Sequence, residues 1–305
     1  MTLAVAGHSN LDVQLQVQEL PKPGMSVPVL ERRTVWGGTA GNIARHAGGL
    51  GVPVRLWSRV GPDFPPAWRS AFEQDGVDLT FLDVAKDQMT PTCFILTDLL
   101  DRQSYAMDQG AMGRIDEHPV GPELLNGLDE DSWLHVTTGN PLGYAHVVDA
   151  ARKSGIRVAF DPGQELRFQY DTRSFEGLLD QSEVLFVNEP ELRVACDYLR
   201  YGSAEQLLDH VQAVVVTRAE KGATLYRPKA KPLSLPAFPV KVVDPTGAGD
   251  ALRAGWYAAL NAGHDMGSAL RWGLAAAAVK IQHAGGQDHV VRRSEIDPLL
   301  VSAAP

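Results

Sequence analysis

The sequence predicts an α/β fold: a mostly parallel sheet wrapped by helices, with a small β lid. Three observations carry this. Short apolar, mostly β-branched runs alternate with helical stretches from Glu117 onward. Those runs end in polar or glycine-bearing residues, where open parallel sheets hold ligands. Two extended pieces, at about 13–36 and 91–110, interrupt the alternation. We read residues 1–305 as one domain with these pieces as its lid.

Leu3 to Ala6 is a short apolar run halted at Gly7, the pattern of a buried parallel strand. Val13, Leu15 and Val17 alternate with Gln14, Gln16 and Gln18, a period of two that gives a strand one wet face. Pro21, Pro23 and Gly24 break it, and Val27 to Trp36 resumes the extended pattern. A second pair, Thr92 to Leu99 and Gln103 to Met107, is joined by Leu100-Asp101-Arg102. A free lid edge is one that pairing of two chains would cover. The core strands expected next are Trp133 to Thr137, Val158 to Phe160, Val184 to Val187 and Ala213 to Val216. An alanine-rich helix between Ala269 and Ile281 is small enough on its surface to pack closely against the helix that follows Asp250.

Composition sets the outer limits. Hydrophobic residues make up 44% of the 305 and charged residues 21%, ordinary for a globular chain, and 29 glycines imply many tight turns. A net charge of −9 disfavours general affinity for nucleic acid or anionic membrane. Cys93 and Cys196 lie far apart in apolar contexts, so buried free thiols are expected. No basic leader and no apolar run near about 18 residues is found, which points to a cytoplasmic protein.

The chemistry concentrates in two stretches. Asp244-Pro-Thr-Gly-Ala-Gly-Asp250 is a glycine turn opening into a small-residue helix. Gly247, Ala248 and Gly249 let several backbone N–H groups face one anion, and a helix starting there adds its positive end. Asp250 in the first turn is placed to accept a proton from a hydroxyl beside a transferring phosphoryl group, or else simply to cap the helix. The second stretch is Gly37-Gly38-Thr39-Ala40-Gly41-Asn42-Ile43-Ala44, in which Gly38 allows close backbone approach. Asn42 offers a donor and an acceptor to a hydroxyl, or a cap to its helix. Asp12, five residues after Gly7, is a turn cap or a substrate ligand. No Gly-x-x-x-x-Gly-Lys-Ser/Thr and no Gly-x-Gly-x-x-Gly after the first strand occurs, so phosphate binding rests on the Gly247 region.

Together the two stretches resemble the signatures of the PfkB/ribokinase family of kinases, and the resemblance runs from Gly7 to about His283. It implies a ribokinase-like three-layer α/β/α domain with a lid over the substrate. It assigns Asp12, Gly38 and Asn42 to substrate, Gly247 to Gly249 to the developing charge and Asp250 to the proton. Asn188-x-x-Glu191 resembles the element that orients Mg²⁺ and phosphate, with Glu191 acting through water. Thr217 and Gly222 match the nucleotide-side loop, with Arg218 either pairing with phosphate or solvated, and the segment around His283 helps enclose the adenine of ATP. Whether a monovalent cation (K⁺) near Asp244 is needed stays open. Ala219 stands where a glycine is common, which bears on loop shape. Gln164, with Thr217-Arg218-x-Glu220-x-Gly222-Ala223 and Lys280-Ile281-x-His283, looks most like the prokaryotic nucleoside kinases, which phosphorylate adenosine, inosine, guanosine or cytidine. A sugar kinase acting on ribose, fructose or 2-keto-3-deoxygluconate is the alternative; a non-catalytic ligand-binding regulator is a remoter one, disfavoured by the intact Asp250. Tyr105, Met107 and Met112 form either an apolar wall for a base or ordinary packing. His283 and His289 lack a third metal ligand at a useful sequence spacing.

Overall fold

The computed structural model describes residues 1–100 and 102–302. Asp101, in the linker between the second pair of lid strands, and residues 303–305 lie outside the described residues. In chain order the first elements are β1 (Leu3–Ala6), β2 (Asn10–Val17), β3 (Val29–Gly37), α1 (Thr39–Gly49), β4 (Val54–Trp57), β5 (Arg59–Val60), α2 (Pro66–Gln74), β6 (Val77–Asp78) and β7 (Asp83–Val84). Next come β8 (Thr92–Thr97), β9 (Gln103–Asp108), β10 (Trp133–Val136), α3 (Ala145–Lys153), β11 (Arg157–Phe160), α4 (Thr172–Leu179), β12 (Val184–Asn188) and α5 (Glu189–Leu199). The last are β13 (Ala213–Thr217), β14 (Ala223–Tyr226), β15 (Leu233–Leu235), α6 (Ala248–Asn261), α7 (Met266–Lys280) and α8 (Arg293–Ser302).

Nine strands form one sheet in the order β15-β14-β13-β12-β11-β10-β1-β4-β6. It is parallel from β6 to β13, and β14 and β15 are antiparallel additions. Alternate residues supply two cores. Leu3, Val5, Trp133, Phe186 and Val215 pack with α1, α6 and α7 on one face, while Ala4, Ala6, Leu134, Phe160 and Val216 pack with α3, α4 and α5 on the other. This is why the core strands read as continuous apolar runs: both faces are covered. The three-layer α/β/α arrangement follows.

On the first face α6 and α7 lie very close. A Cβ at Gly255 would come within 2.6 Å of Trp272 O, and one at Gly273 within 2.6 Å of Leu252 O. The alanine-rich helix expected from the sequence therefore approaches its partner through one glycine on each, Gly273 on α7 and Gly255 on α6. The sheet's order reverses at β1, which lies between β10 and β4. A ligand crevice is expected there, outside the carboxyl ends of the strands.

The two interrupting pieces form a separate four-stranded sheet, β3-β2-β8-β9. The register aligns Asp12, Cys93 and Met107 in one row and Gln14, Ile95 and Tyr105 in the next, and all six line the cavity over the crevice. The wet face that the glutamines predicted is therefore the cavity face. Met112 departs from the base-wall expectation: it is 1% exposed and its sulfur accepts the Arg59 N–H, so it is core packing. Cys196 is buried, whereas Cys93 is only half-buried on the cavity wall, contrary to its apolar neighbours in sequence.

Candidate active site

A single cavity of about 1380 Å³ runs between the lid and the carboxyl ends of β1, β10, β11, β12 and β13. That exceeds the usual room for one small ligand and suits two placed end to end. Its wall includes Asp12, Gly38, Asn42, Gln164, Asn188, Glu191, Thr217, Arg218, Gly247, Ala248, Gly249 and Asp250. Twelve positions scattered over the chain are thus brought together by strand ends and helix starts.

The centre is a contact between the two sequence stretches. Asn42, in the first turn of α1, donates from Nδ2 to Asp250 Oδ2 at 2.6 Å. Its Oδ1 is buried with no partner among the described residues, an acceptor left for a hydroxyl. Burial pushes the Asp250 carboxyl up to about 6, against the opposing effects of the Asn42 bond and the Arg253 charge. Asp12 sits opposite, 8% exposed, with Asn10 Nδ2 donating to its Oδ1 at 2.7 Å. Burial pushes it also to about 6, with Asp250 adding to the rise. Both carboxylates therefore titrate nearer to neutral pH than free ones do.

Gly247 caps α6 in the left-handed region at φ 77°, which an L side chain adopts at a cost. Ala248 spends its N–H on Pro245 O at 3.1 Å, while the N–H groups of Gly249 and Asp250 have no acceptor among the described residues. Those free donors at the start of a 14-residue helix make an anion seat. Ala248 contributes shape rather than a donor, a correction to its expected part.

Arg253, one turn along α6, was missed from the sequence. It makes a bidentate pair with Asp161 at the end of β11 (both bonds 2.9 Å) and donates to Gly249 O at 3.1 Å. Burial alone would raise the Asp161 carboxyl; Arg253 and His135 outweigh it and hold it below the usual range. The pair clamps the anion turn onto the sheet. An arginine three residues after Asp250, in an otherwise small and apolar helix start, was the available signal. Glu165 was missed as well: it is 2% exposed, takes a bond from Gln109 Nε2 at 2.7 Å, and lines the cavity beside the exposed Gln164 with its Oε2 unpaired among the described residues.

At the other end, Asn188 and Glu191 form a capping box on α5, each side chain accepting the other's backbone N–H at 2.8 Å. This leaves Glu191 Oε1 for a water-mediated contact, and the donor set fits a hydrated Mg²⁺. Arg218 is not simply solvated: it donates to Tyr226 Oη at 3.0 Å and pairs with Glu189 at 3.6 Å. Two expected residues do not reach the cavity wall. Gly222 is a turn residue at φ 88°, where a Cβ would strike Leu235 O. His283 stacks on His289 at 3.7 Å between centroids. The expectation of no third ligand also needs correcting, since folding brings Glu295 to both histidines, with ligand atoms within 4.8 Å of one another. Glu295 is however engaged through both oxygens, by His289 Nε2 at 2.8 Å and Arg292 N at 2.7 Å.

Known proteins resemble this chain over nearly its whole length. The family model for pfkB family carbohydrate kinases matches residues 2–292. The chain is 30% identical over 301 residues to a nucleoside kinase of Methanocaldococcus jannaschii, covering 96% of each. It is 27% identical over 302 residues to a ribokinase of Haemophilus influenzae, again covering 96% of each. Among solved structures, a Burkholderia thailandensis nucleoside kinase in complex with inosine superposes with a TM-score of 0.89 at 27% identity, over 99% of this chain and 98% of that one.

Proposed function

We propose that this chain, which belongs to the pfkB family of carbohydrate kinases, transfers the γ-phosphoryl group of ATP to the primary 5′ hydroxyl of a nucleoside. One observation carries the reading: the Asn42–Asp250 contact holds a half-buried carboxylate on the same cavity wall as Asp12 and the free N–H groups of Gly249 and Asp250. Asp12 and Asn42 hold the ribose hydroxyls. Asp250 takes the proton as the hydroxyl oxygen bonds to phosphorus and ADP leaves, and the helix start faces the charge that develops. Glu191 would hold a hydrated Mg²⁺ through water, and that ion would supply charge neutralisation at the phosphates. The lid excludes water that would otherwise accept the phosphoryl group.

Space and lining favour a nucleoside over a free sugar. Beyond Asp12 the cavity continues between Gln14, Ile95 and Tyr105 on the lid and His8, Gln164 and Glu165 below, which gives a base both apolar and polar contacts. The nucleoside kinases among the relatives support the same choice; the Haemophilus influenzae ribokinase supports a sugar kinase as the second reading. ATP consumption with Mg²⁺ against adenosine, inosine, guanosine, cytidine, ribose, fructose and 2-keto-3-deoxygluconate separates them. Turnover on a free sugar alone would overturn the nucleoside assignment. The lid's outer surface, with Val29, Leu30 and Phe94 exposed, is our choice for a face that pairs two copies, checked by light scattering. No helix among the described residues is long and apolar enough to cross a membrane. The two unpaired thiols support a reducing, cytoplasmic setting.

A further inference from the structure

One buried charge takes no part in the steps above. Lys280, the last residue of α7, is 0% exposed, and its ammonium makes one hydrogen bond among the described residues, to His283 O at 3.0 Å. An ammonium held out of water is costly unless nearby charges offset it. Burial lowers its proton affinity, while Asp244, Asp288 and Asp250 draw it back.

Its position is specific. Val243 and Asp244 donate their N–H groups to Ile281 O at 2.8 and 3.2 Å, next to the lysine in sequence. The Asp244 carboxylate accepts from Thr246 N at 2.9 Å and from Gly285 N at 2.8 Å, so it ties the start of the anion turn to the segment after α7. A Cβ built on Gly247 would lie 3.3 Å from Gly286 Cα and 3.6 Å from Lys280 Cε, so the lysine stem runs directly beneath the turn. Lys280 does not line the cavity itself. A free monovalent cation near Asp244 fits this arrangement poorly. Both oxygens of that carboxylate already accept backbone bonds, and the His283 carbonyl is occupied by the ammonium.

We propose that Lys280 is a built-in cation behind the phosphate seat: its fixed ammonium, lying under Gly247 and bonded to His283 O, supplies the positive charge that a bound K⁺ would otherwise bring, so that turnover needs no monovalent cation. Lys280 is on this account a positioning residue. It adds to the field of the free N–H groups at the start of α6 and holds the 283–286 segment against the turn, without touching substrate. The inference rests on the reading of Gly247 to Gly249 as the seat of the transferred phosphoryl group.

The test measures turnover with the best acceptor of the panel at constant ionic strength in potassium, sodium or tetramethylammonium chloride. Wild-type turnover is expected to agree within about twofold across the three salts, since only screening is shared between them. Lys280→Ala, checked for folding by circular dichroism, is expected to lose roughly 10- to 100-fold in kcat with the acceptor KM nearly unchanged. Potassium, ammonium or methylammonium should restore part of that loss and tetramethylammonium should not. A wild-type enzyme that turns over only in potassium overturns the proposal, as does a Lys280→Ala variant with normal kcat or with a loss that no small cation repairs. If Lys280→Ala does not fold, the wild-type salt comparison decides alone in the same sense. Absence of turnover on every acceptor in every salt overturns the phosphoryl-transfer reading itself, and the role of Lys280 with it.

Discussion

At the acceptor end of the cavity, Asp12, Asn42 and Asp250 come from β2, α1 and α6 and meet through long-range geometry, with Asn42 and Asp250 bonded across 208 positions of sequence. At the end we assign to nucleotide, Asn188, Glu191 and Arg218 direct their bonds to near neighbours: a capping box on α5, Glu189 and Tyr226. The first end concentrates buried charge whose proton affinities are shifted by desolvation. The second sets the shape of loops at strand ends. Substitutions at the acceptor end should therefore act on chemistry, and those at the nucleotide end on loop geometry.

The sharpest way to break this contrast is Asp250→Asn, which keeps an acceptor for the Asn42 amide but cannot take a proton. Turnover should fall by roughly 10²- to 10⁴-fold while ATP affinity stays nearly unchanged, measured by steady-state kinetics and by nucleotide titration. Near-normal turnover would remove Asp250 from the mechanism and leave the acceptor end with a structural carboxylate only.

Arg253 joins the two ends and separates folding from chemistry. Arg253→Met strands the buried Asp161 carboxylate, so stability should fall by about 3–5 kcal/mol in chemical denaturation. Replacing both members, Arg253→Met with Asp161→Leu, should recover much of that stability, because an apolar pair of similar volume is often as good as a buried ion pair. Turnover should stay low in the double variant, since the bond to Gly249 O is gone. Recovered turnover would show that the clamp serves folding alone.

The next effect is the pH profile. Asp250 acts as a base only when ionised, and burial has pushed its carboxyl up to about 6. As pH falls through that value the base is protonated, so kcat/KM should drop about tenfold per pH unit below about pH 5 and level off above about pH 7. Asp12, also raised to about 6, titrates with it, so the limb belongs to the coupled pair. A profile flat down to pH 5 would contradict a desolvated acceptor end.

The same contrast accounts for what the residues reveal before folding. The sheet was legible because β1, β10, β11, β12 and β13 are apolar on both faces and stop at polar residues, a direct consequence of cover by two helical layers. Gly38, Asn42 and Asp250 were legible because turn and helix-start chemistry marks each of them, whereas Asp12, inside β2, stood out only through the resemblance. Arg253 and Lys280 were not, because a charged residue on a helix gives no sign in sequence that its partner, here Asp161 or His283 O, waits inside the core. Gly222 and His283 lie off the cavity wall for the converse reason: a glycine at φ 88° and a histidine in a stacked pair serve the loop they stand in, and such local demands leave the same residues in the chain as ligand contacts do.

The smallest expected effect tests the nucleotide end alone. Ala219 lines the cavity in the left-handed region at φ 48°, at the place where a glycine was the expected residue. An alanine there is strained by roughly 1–2 kcal/mol, while glycine would lose about 0.5–1 kcal/mol through the freedom it gains unfolded. The two terms nearly cancel, so Ala219→Gly should change stability by less than about 1 kcal/mol and the KM for ATP by less than about threefold. Ala219→Val places a β-branched residue at the same positive φ, where strain is greater, and should weaken ATP binding by opening the loop between β13 and β14. Equal KM values for all three would mean that loop shape at this position does not govern the nucleotide end, and the division between chemical and geometric ends would fail where it is easiest to measure.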